Sequence, residues 1–216
     1  MSWSGGKDSA LALYEIQQAR EHHVAALLTT LSREDGRLGI HYVRNELIDA
    51  QAASMGLPLC KILIPRGATN AEYEREMAKA LAQFRDSQGI GAIVFGDLFL
   101  EDIRQYREQF LARQRMHGLY PVWGRDTAQF AVDFIKLGFK AIVVSVNAHT
   151  LDESFTGRML DKEFLKELPA GVDPCGELGE FHSFVFDGPI FEHAVKFKRG
   201  EISLRDGHYC CDLLPD

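Results

Sequence analysis

Met1-Ser2-Trp3-Ser4-Gly5-Gly6-Lys7-Asp8-Ser9-Ala10-Leu11-Ala12-Leu13-Tyr14 is the stretch on which the fold turns. Met1–Trp3 reads as the stub of a strand. Ala10, Leu13 and Tyr14 recur at helical spacing, so Ser4–Ser9 is a turn from strand into helix. Phosphate binds readily at such a turn, because the amides at a helix start point outward and the helix dipole favours an anion. Gly5 and Gly6 let a phosphate approach the backbone without a Cβ in the way. Ser4 and Ser9 supply hydroxyls, Lys7 a positive charge, and Asp8 a carboxylate suited to Mg²⁺ bridging phosphates. The simpler alternative is a glycine-rich turn with Asp8 or Ser9 as helix N-cap. Two other nucleotide loops are excluded. A Walker A loop needs Ser or Thr after its lysine, where Asp8 stands, and Gly89-Ile90-Gly91 lacks the third glycine of a dinucleotide fingerprint.

Outward from the loop, apolar runs alternate with amphipathic helices. Val24–Leu31, Leu59–Ile64, Ala92–Phe95 and Lys140–Val146 have the composition of strands covered on both faces. Between them, Val43, Leu47 and Ala50 share one helical face, as do Tyr73, Met77, Leu81 and Phe84. Ile103, Tyr106 and Phe110 form another such stripe, and so do Phe130, Phe134 and Leu137. Gly56, Gly89 and Gly138 each close a helical stretch, where a left-handed residue is expected. This alternation predicts an α/β fold, a doubly wound, mostly parallel, Rossmann-like sheet. Gly96 and Asp97 end the third run, where open α/β sheets bind ligands, although capping the next helix serves as well. Arg104 and Arg107 on that next helix are candidates for an anionic substrate, or for a solvated face.

The texture changes near Asn147. A short helix around Asp161–Leu168 leads into turn-formers, then into strand-like segments at Phe181–Phe186, Ala194–Lys198 and His208–Leu213. Two parts are expected: residues 1–147 binding nucleotide, and residues 148–216 as a small mixed α+β substrate-binding subdomain. The boundary stretch Gly176-Glu177-Leu178-Gly179-Glu180-Phe181-His182 gathers two carboxylates and an imidazole, with Glu180 and His182 on one face of the coming strand. Such a group suits a cation, a proton from ammonia, or an amine. From residue types alone a solvated acidic turn is the simpler reading.

Composition narrows the partners. The 216 residues carry 24 basic and 31 acidic side chains, a formal net charge of −7. That balance offers no long-range attraction for nucleic acid. The four cysteines show no CxxC spacing, which argues against a disulfide scaffold or structural zinc site. No apolar run has the length of a membrane span, so a cytoplasmic protein without a membrane partner is expected.

Ser4–Ser9 matches the SGGxDS loop of the N-type ATP pyrophosphatases. Asp173–Phe191 resembles the GExGE[FY]xx[FLV]VxDxPxF motif of the diphthine–ammonia ligase family within that superfamily. Gly39–Arg44, Phe95–Arg104, Tyr120–Gly124, Gly157–Asp161 and Leu204–Gly207 extend the resemblance along the chain. It implies ATP held by Ser4, Gly5, Gly6, Lys7, Asp8 and Ser9, with Gly96 and Asp97 nearby and Mg²⁺ on Asp8. It implies attack of a substrate carboxylate on the α phosphate, then ammonia displacing AMP to form an amide. Lys7 would stabilise the leaving pyrophosphate, while Glu177, Glu180 and His182 handle the nitrogen and Arg104 the substrate. The acceptor implied is diphthine, a modified histidine of elongation factor 2. Members acting on diphthine commonly carry a third acidic residue where His182 stands. Rivals from other classes are a tRNA-base or metabolite-activating enzyme with the same loop, and a non-catalytic adenine-nucleotide sensor.

Overall fold

The computed structural model describes residues 1–39 and 42–216. Ile40 and His41, inside the Gly39–Arg44 stretch, lie outside the described residues.

The expected α/β layer is present, and its centre is the chain's first segment. β1 (Leu27–Ser32) pairs in parallel with β4 (Leu59–Ile64). β5 (Ala92–Val94) pairs in parallel with β6 (His117–Leu119). Met1–Trp3 joins the two pairs: Leu28 N–H donates to Met1 O at 2.8 Å, Trp3 N–H to Leu28 O at 2.8 Å, and Ser2 N–H to Val94 O at 2.9 Å. The spatial order is therefore β4, β1, Met1–Trp3, β5, β6, with the switch point between Met1–Trp3 and β5. Loops leaving the strands on either side of a switch point face each other across a ligand crevice. Here those loops are Ser4–Ser9 and the segment after β5.

Helices cover both faces. Leu27, Leu31 and Val94 share one apolar cluster with α1 (Lys7–Ala19) and α2 (Asn45–Ser54). Leu28, Ile62, Ile93 and Phe95 share the other with α3 (Asn70–Gln88) and α4 (Glu101–Arg113). Sequence explains the helix ends. Thr69 and Glu72 form a reciprocal capping box on α3, Asp126 caps α5 (Thr127–Lys136), and Asp161 caps α6 (Lys162–Glu167). Gly56, Gly89 and Gly138 take positive φ of 64°, 67° and 87°, as helix-closing glycines should. One stripe departs from expectation. Ile103 and Tyr106 stay exposed on α4, and Phe110 with Leu111 carries its buried contact instead.

The run Lys140–Val146, expected in the parallel layer, lies elsewhere. β7 (Lys140–Asn147) is antiparallel to both β8 (Phe181–Asp187) and β10 (His208–Pro215), and β9 (Phe197–Arg205) completes a second sheet in the order β8-β7-β10-β9. A division after residue 147 thus separates β7 from both of its partners. The apolar run misleads because a central antiparallel strand covered on both faces has the same composition as a parallel one. Phe134 of α5 stacks on Phe139 at 4.8 Å and Tyr14 of α1 meets Phe139 edge-on at 6.1 Å, which fixes the second sheet against α1. A buried aromatic of this kind contributes roughly 1.5–3 kcal/mol. A hairpin of β2 (Arg37–Leu38) and β3 (Val43–Arg44) ties back to β10 through Arg37 and Arg44, both on Asp212. These guanidinium bonds hold the Asp212 carboxyl down at about 2. Among the described residues no helix is long and apolar enough to cross a membrane.

Candidate functional site

The loop is held in shape from three directions. Gly5 has φ +73°, and a Cβ there would meet Gln51 Oε1 at 2.8 Å and Ile48 Cδ1 at 2.9 Å. Gln51 is fully buried: its Oε1 accepts from Trp3 Nε1 at 2.9 Å, and its Nε2 donates to Gly5 O at 3.0 Å and Val185 O at 2.5 Å. From the second sheet, Val185 N–H donates to Gly5 O at 2.9 Å and Lys7 N–H donates to Ser183 Oγ at 3.2 Å. From the switch point, Gly96 lies so close that a Cβ would sit 2.7 Å from Asp8 C and O. Gly6 at the N-cap of α1 has no side chain to offer its amides. Inside the loop, Ser9 Oγ donates to Gly6 O at 2.9 Å and lies 3.2 Å from Ser4 Oγ. Gln51 and Ser183 were not foreseen. The signal for Gln51 was an amide interrupting the apolar stripe begun by Leu47 and Ile48. Ser183 had no signal.

Two hollows flank Asp8. One of about 280 Å³ is lined by Gly6, Lys7, Asp8, Glu177, His182 and Ser183, among others. The other, about 150 Å³, is lined by Ser4, Asp8, Ser9, Asp97, Arg107 and Glu177 together with Ser2, Phe95 and Gly96. Ser4, Asp8 and Glu177 line both hollows, while Gly6 and Lys7 line only the larger and Ser9 and Asp97 only the smaller. Larger hollows, at the opposite strand ends around Ala92 and beside Tyr42 and Tyr73, contain none of these residues.

Charge inside the cleft is unbalanced. Lys7 is 4% exposed, its Nζ 2.8 and 2.9 Å from the two Asp8 carboxylate oxygens and 3.9 Å from Glu177 Oε1. Burial works to lower the Lys7 pKa, but Asp8 and Glu177 outweigh it, and the ammonium is held well above its usual range. Glu177 is pushed up to about 8, first by burial and then by Asp8, against the pull of Lys7. Burial also raises Asp97, opposed by its ion pair with Arg107. A carboxyl with the pKa of Glu177 has the chemistry to exchange a proton near neutrality.

Glu180 lies apart from the hollows and is 5% exposed. Its carboxylate accepts from the amides of Asp173 at 3.0 Å and Leu178 at 2.9 Å, so it braces the turn from beneath. The reason is local: Gly176 and Gly179, at φ +68° and +86°, fold the chain back before β8 begins. Asp173, not singled out from sequence, does the same work, accepting from the amides of Cys175 and Glu177 and from Thr127 Oγ1 at 2.6 Å. His182, on β8, does face the larger hollow. Arg104 also lies apart. Its guanidinium lies over Tyr120 at 4.8 Å and Trp123 at 4.5 Å, outside both hollows. One turn of helix further, Arg107 reaches the cleft.

The carboxylates suit magnesium only in company with phosphate. Among the described residues no three His, Cys, Asp or Glu side chains converge on a protein-built metal site. Mg²⁺ is ordinarily held by one or two carboxylates plus phosphate oxygens, and Asp8 beside a phosphate loop meets that requirement.

Residues 1–117 match the family model of the diphthamide synthase N-terminal domain, and residues 126–212 match that of the diphthamide synthase C-terminal domain. The chain is 26% identical over 212 residues to a diphthine–ammonia ligase of Danio rerio, covering 89% of this chain and 83% of that protein. It is 28% identical over 225 residues to that of Homo sapiens, covering 92% and 82%. It is 25% identical over 232 residues to that of Schizosaccharomyces pombe, covering 97% of this chain and 38% of the longer fungal protein.

Proposed function

The chain belongs to the diphthamide synthase family, and on that premise we propose that it is an ATP-dependent amide ligase joining a substrate carboxylate to ammonia. The observation that carries the reading is the convergence of Lys7 and Asp8, from the start of the chain, with Glu177, from its last third, over an N-terminal helix turn. The acceptor is diphthine on elongation factor 2, by analogy with the ligases named above, and the reaction is cytoplasmic. The nucleotide-binding part runs to about residue 119, through β6, and the substrate part begins with α5.

In the first step an acceptor carboxylate oxygen attacks the α phosphorus and the bond to the bridging oxygen breaks, its electron pair leaving with pyrophosphate. Lys7 and the loop amides stabilise that leaving charge. Mg²⁺, held by Asp8 and phosphate oxygens, would neutralise charge on the phosphates. In the second step ammonia attacks the acyl carbon and AMP leaves with the electrons of the C–O bond. Glu177, with a pKa near the working pH, takes the surplus proton from nitrogen. His182, on the same wall, orients the nitrogen, whereas Glu180 keeps Glu177 in place through the turn.

The test is product analysis. Purified protein with ATP, Mg²⁺, ammonium and diphthine-bearing elongation factor 2 should yield AMP, pyrophosphate and an amidated acceptor by mass spectrometry. ADP and phosphate as the products would sink the assignment.

A further inference from the structure

The smaller hollow contains a cation that the mechanism above leaves without a task. We propose that Arg107 holds the α phosphate of the nucleotide, making the 150 Å³ hollow the adenylate-phosphate subsite. The proposal rests on the reading that ATP is cleaved between its α and β phosphates.

Three observations lead there. First, the hollow adjoins the loop directly: Ser4 and Ser9 line it, and Gly96 packs its backbone on that of Asp8. If Lys7 and the loop amides take the pyrophosphate end, the next phosphorus along the nucleotide falls on the far side of Asp8. The volume has room for a phosphate group. Second, Asp8, Asp97 and Glu177 line this hollow with carboxylates, and among the described residues Arg107 is its one cationic wall residue, since Lys7 lines the other hollow. An oxyanion entering here meets repulsion from every other charged side chain. Third, Arg107 is pre-oriented. Its guanidinium lies 4.4 Å from the Phe95 ring centroid, one Nη1 is anchored on Asp97, and the side chain is 31% exposed. A planar fork with five donors, fixed along one edge, leaves its other edge for a phosphate. Arg104 has no such access, packed as it is on Tyr120 and Trp123.

Calorimetric titration of the full chain with AMP and, separately, with pyrophosphate tests this. Arg107→Met keeps an apolar stem over Phe95 and removes the fork. It should weaken AMP binding about tenfold or more while pyrophosphate binding stays within about twofold, and Arg107→Lys should recover part of the AMP loss. Unchanged AMP affinity overturns the proposal, as does equal loss of both ligands in a variant whose melting curve is normal. Should Arg107→Met fail to fold, Arg107→Lys alone decides: selective loss of AMP supports the assignment and no selective loss overturns it. Wild-type protein that binds none of ATP, AMP and pyrophosphate overturns the ligase reading as well, which separates the two failures.

Discussion

Two glycine-containing turns meet at the cleft, and they solve opposite problems. The Ser4–Ser9 turn is braced from outside by Gln51, Val185, Ser183 and Gly96, which leaves its own charged side chains for other work. The Asp173–Glu180 turn is braced from inside: Asp173 and Glu180 are occupied by its own amides, and Glu177 alone is turned to the cleft. Of two carboxylates three residues apart, one is bonded to amides and one faces other charges. Similar residue types thus carry different energies, according to whether an amide or another charge lies opposite.

The comparison breaks most sharply from behind the loop. Gly96→Ala drives a Cβ to 2.7 Å from the Asp8 backbone. Neither backbone has a flexible end to yield, so a cost of about 3 kcal/mol or more is expected. ATP with Mg²⁺ should no longer raise the melting temperature, while the acidic turn, held by its own amides, stays folded by hydrogen exchange. Glu177→Gln should act in the opposite direction. The Glu177 carboxyl is raised from 4.5 to about 8. Its contribution to stability is therefore fully present below the lower value and lost as pH rises through the higher one. Against wild type the variant should gain roughly 2–4 kcal/mol in the nucleotide-free protein above pH 8, with the gain vanishing near pH 4. Melting curves across pH read this directly, and a pH-independent difference would remove the charge explanation.

Glu180→Gln tests the amide-bonded carboxylate. Losing the charge on a carboxylate that holds two amides should cost roughly 1–3 kcal/mol and lower the melting temperature by several degrees. Cutting activity at unchanged stability would instead return Glu180 to the chemistry. The smallest effect belongs to neither turn. Arg104→Ala removes a guanidinium stacked on Tyr120 and Trp123, worth roughly 0.5–1 kcal/mol, and should leave AMP and ATP affinities unchanged.

Much of this was legible in the chain itself. The strand–loop–helix reading of the first residues, the alternation through α4, and the strands at Leu59–Ile64, Phe181–Phe186 and His208–Leu213 rest on local patterns that tertiary contacts did not overturn. What stayed hidden needed partners distant in sequence. The sheet that owns β7 is decided by β8 and β10, not by its own apolar run. β2, β3 and β6 have two or three residues each, too few for a period to register. Arg104 and Arg107 share one helical face, and only the positions of Tyr120 and Asp97 decide which of them reaches the cleft. Glu180 read as a cleft residue because strand alternation was applied one residue before the strand begins.

The hydrogen bond from Lys7 N–H to Ser183 Oγ spans 176 residues. On a ribosome adding about 5–20 residues per second, roughly 9–35 s separate the synthesis of its two ends. The phosphate loop leaves the exit tunnel well before Ser183 and Val185, which must follow before it is complete. A nascent chain stalled or cut before β8 carries the whole nucleotide signature and none of the strand that shapes it. Such fragments should be blind to ATP.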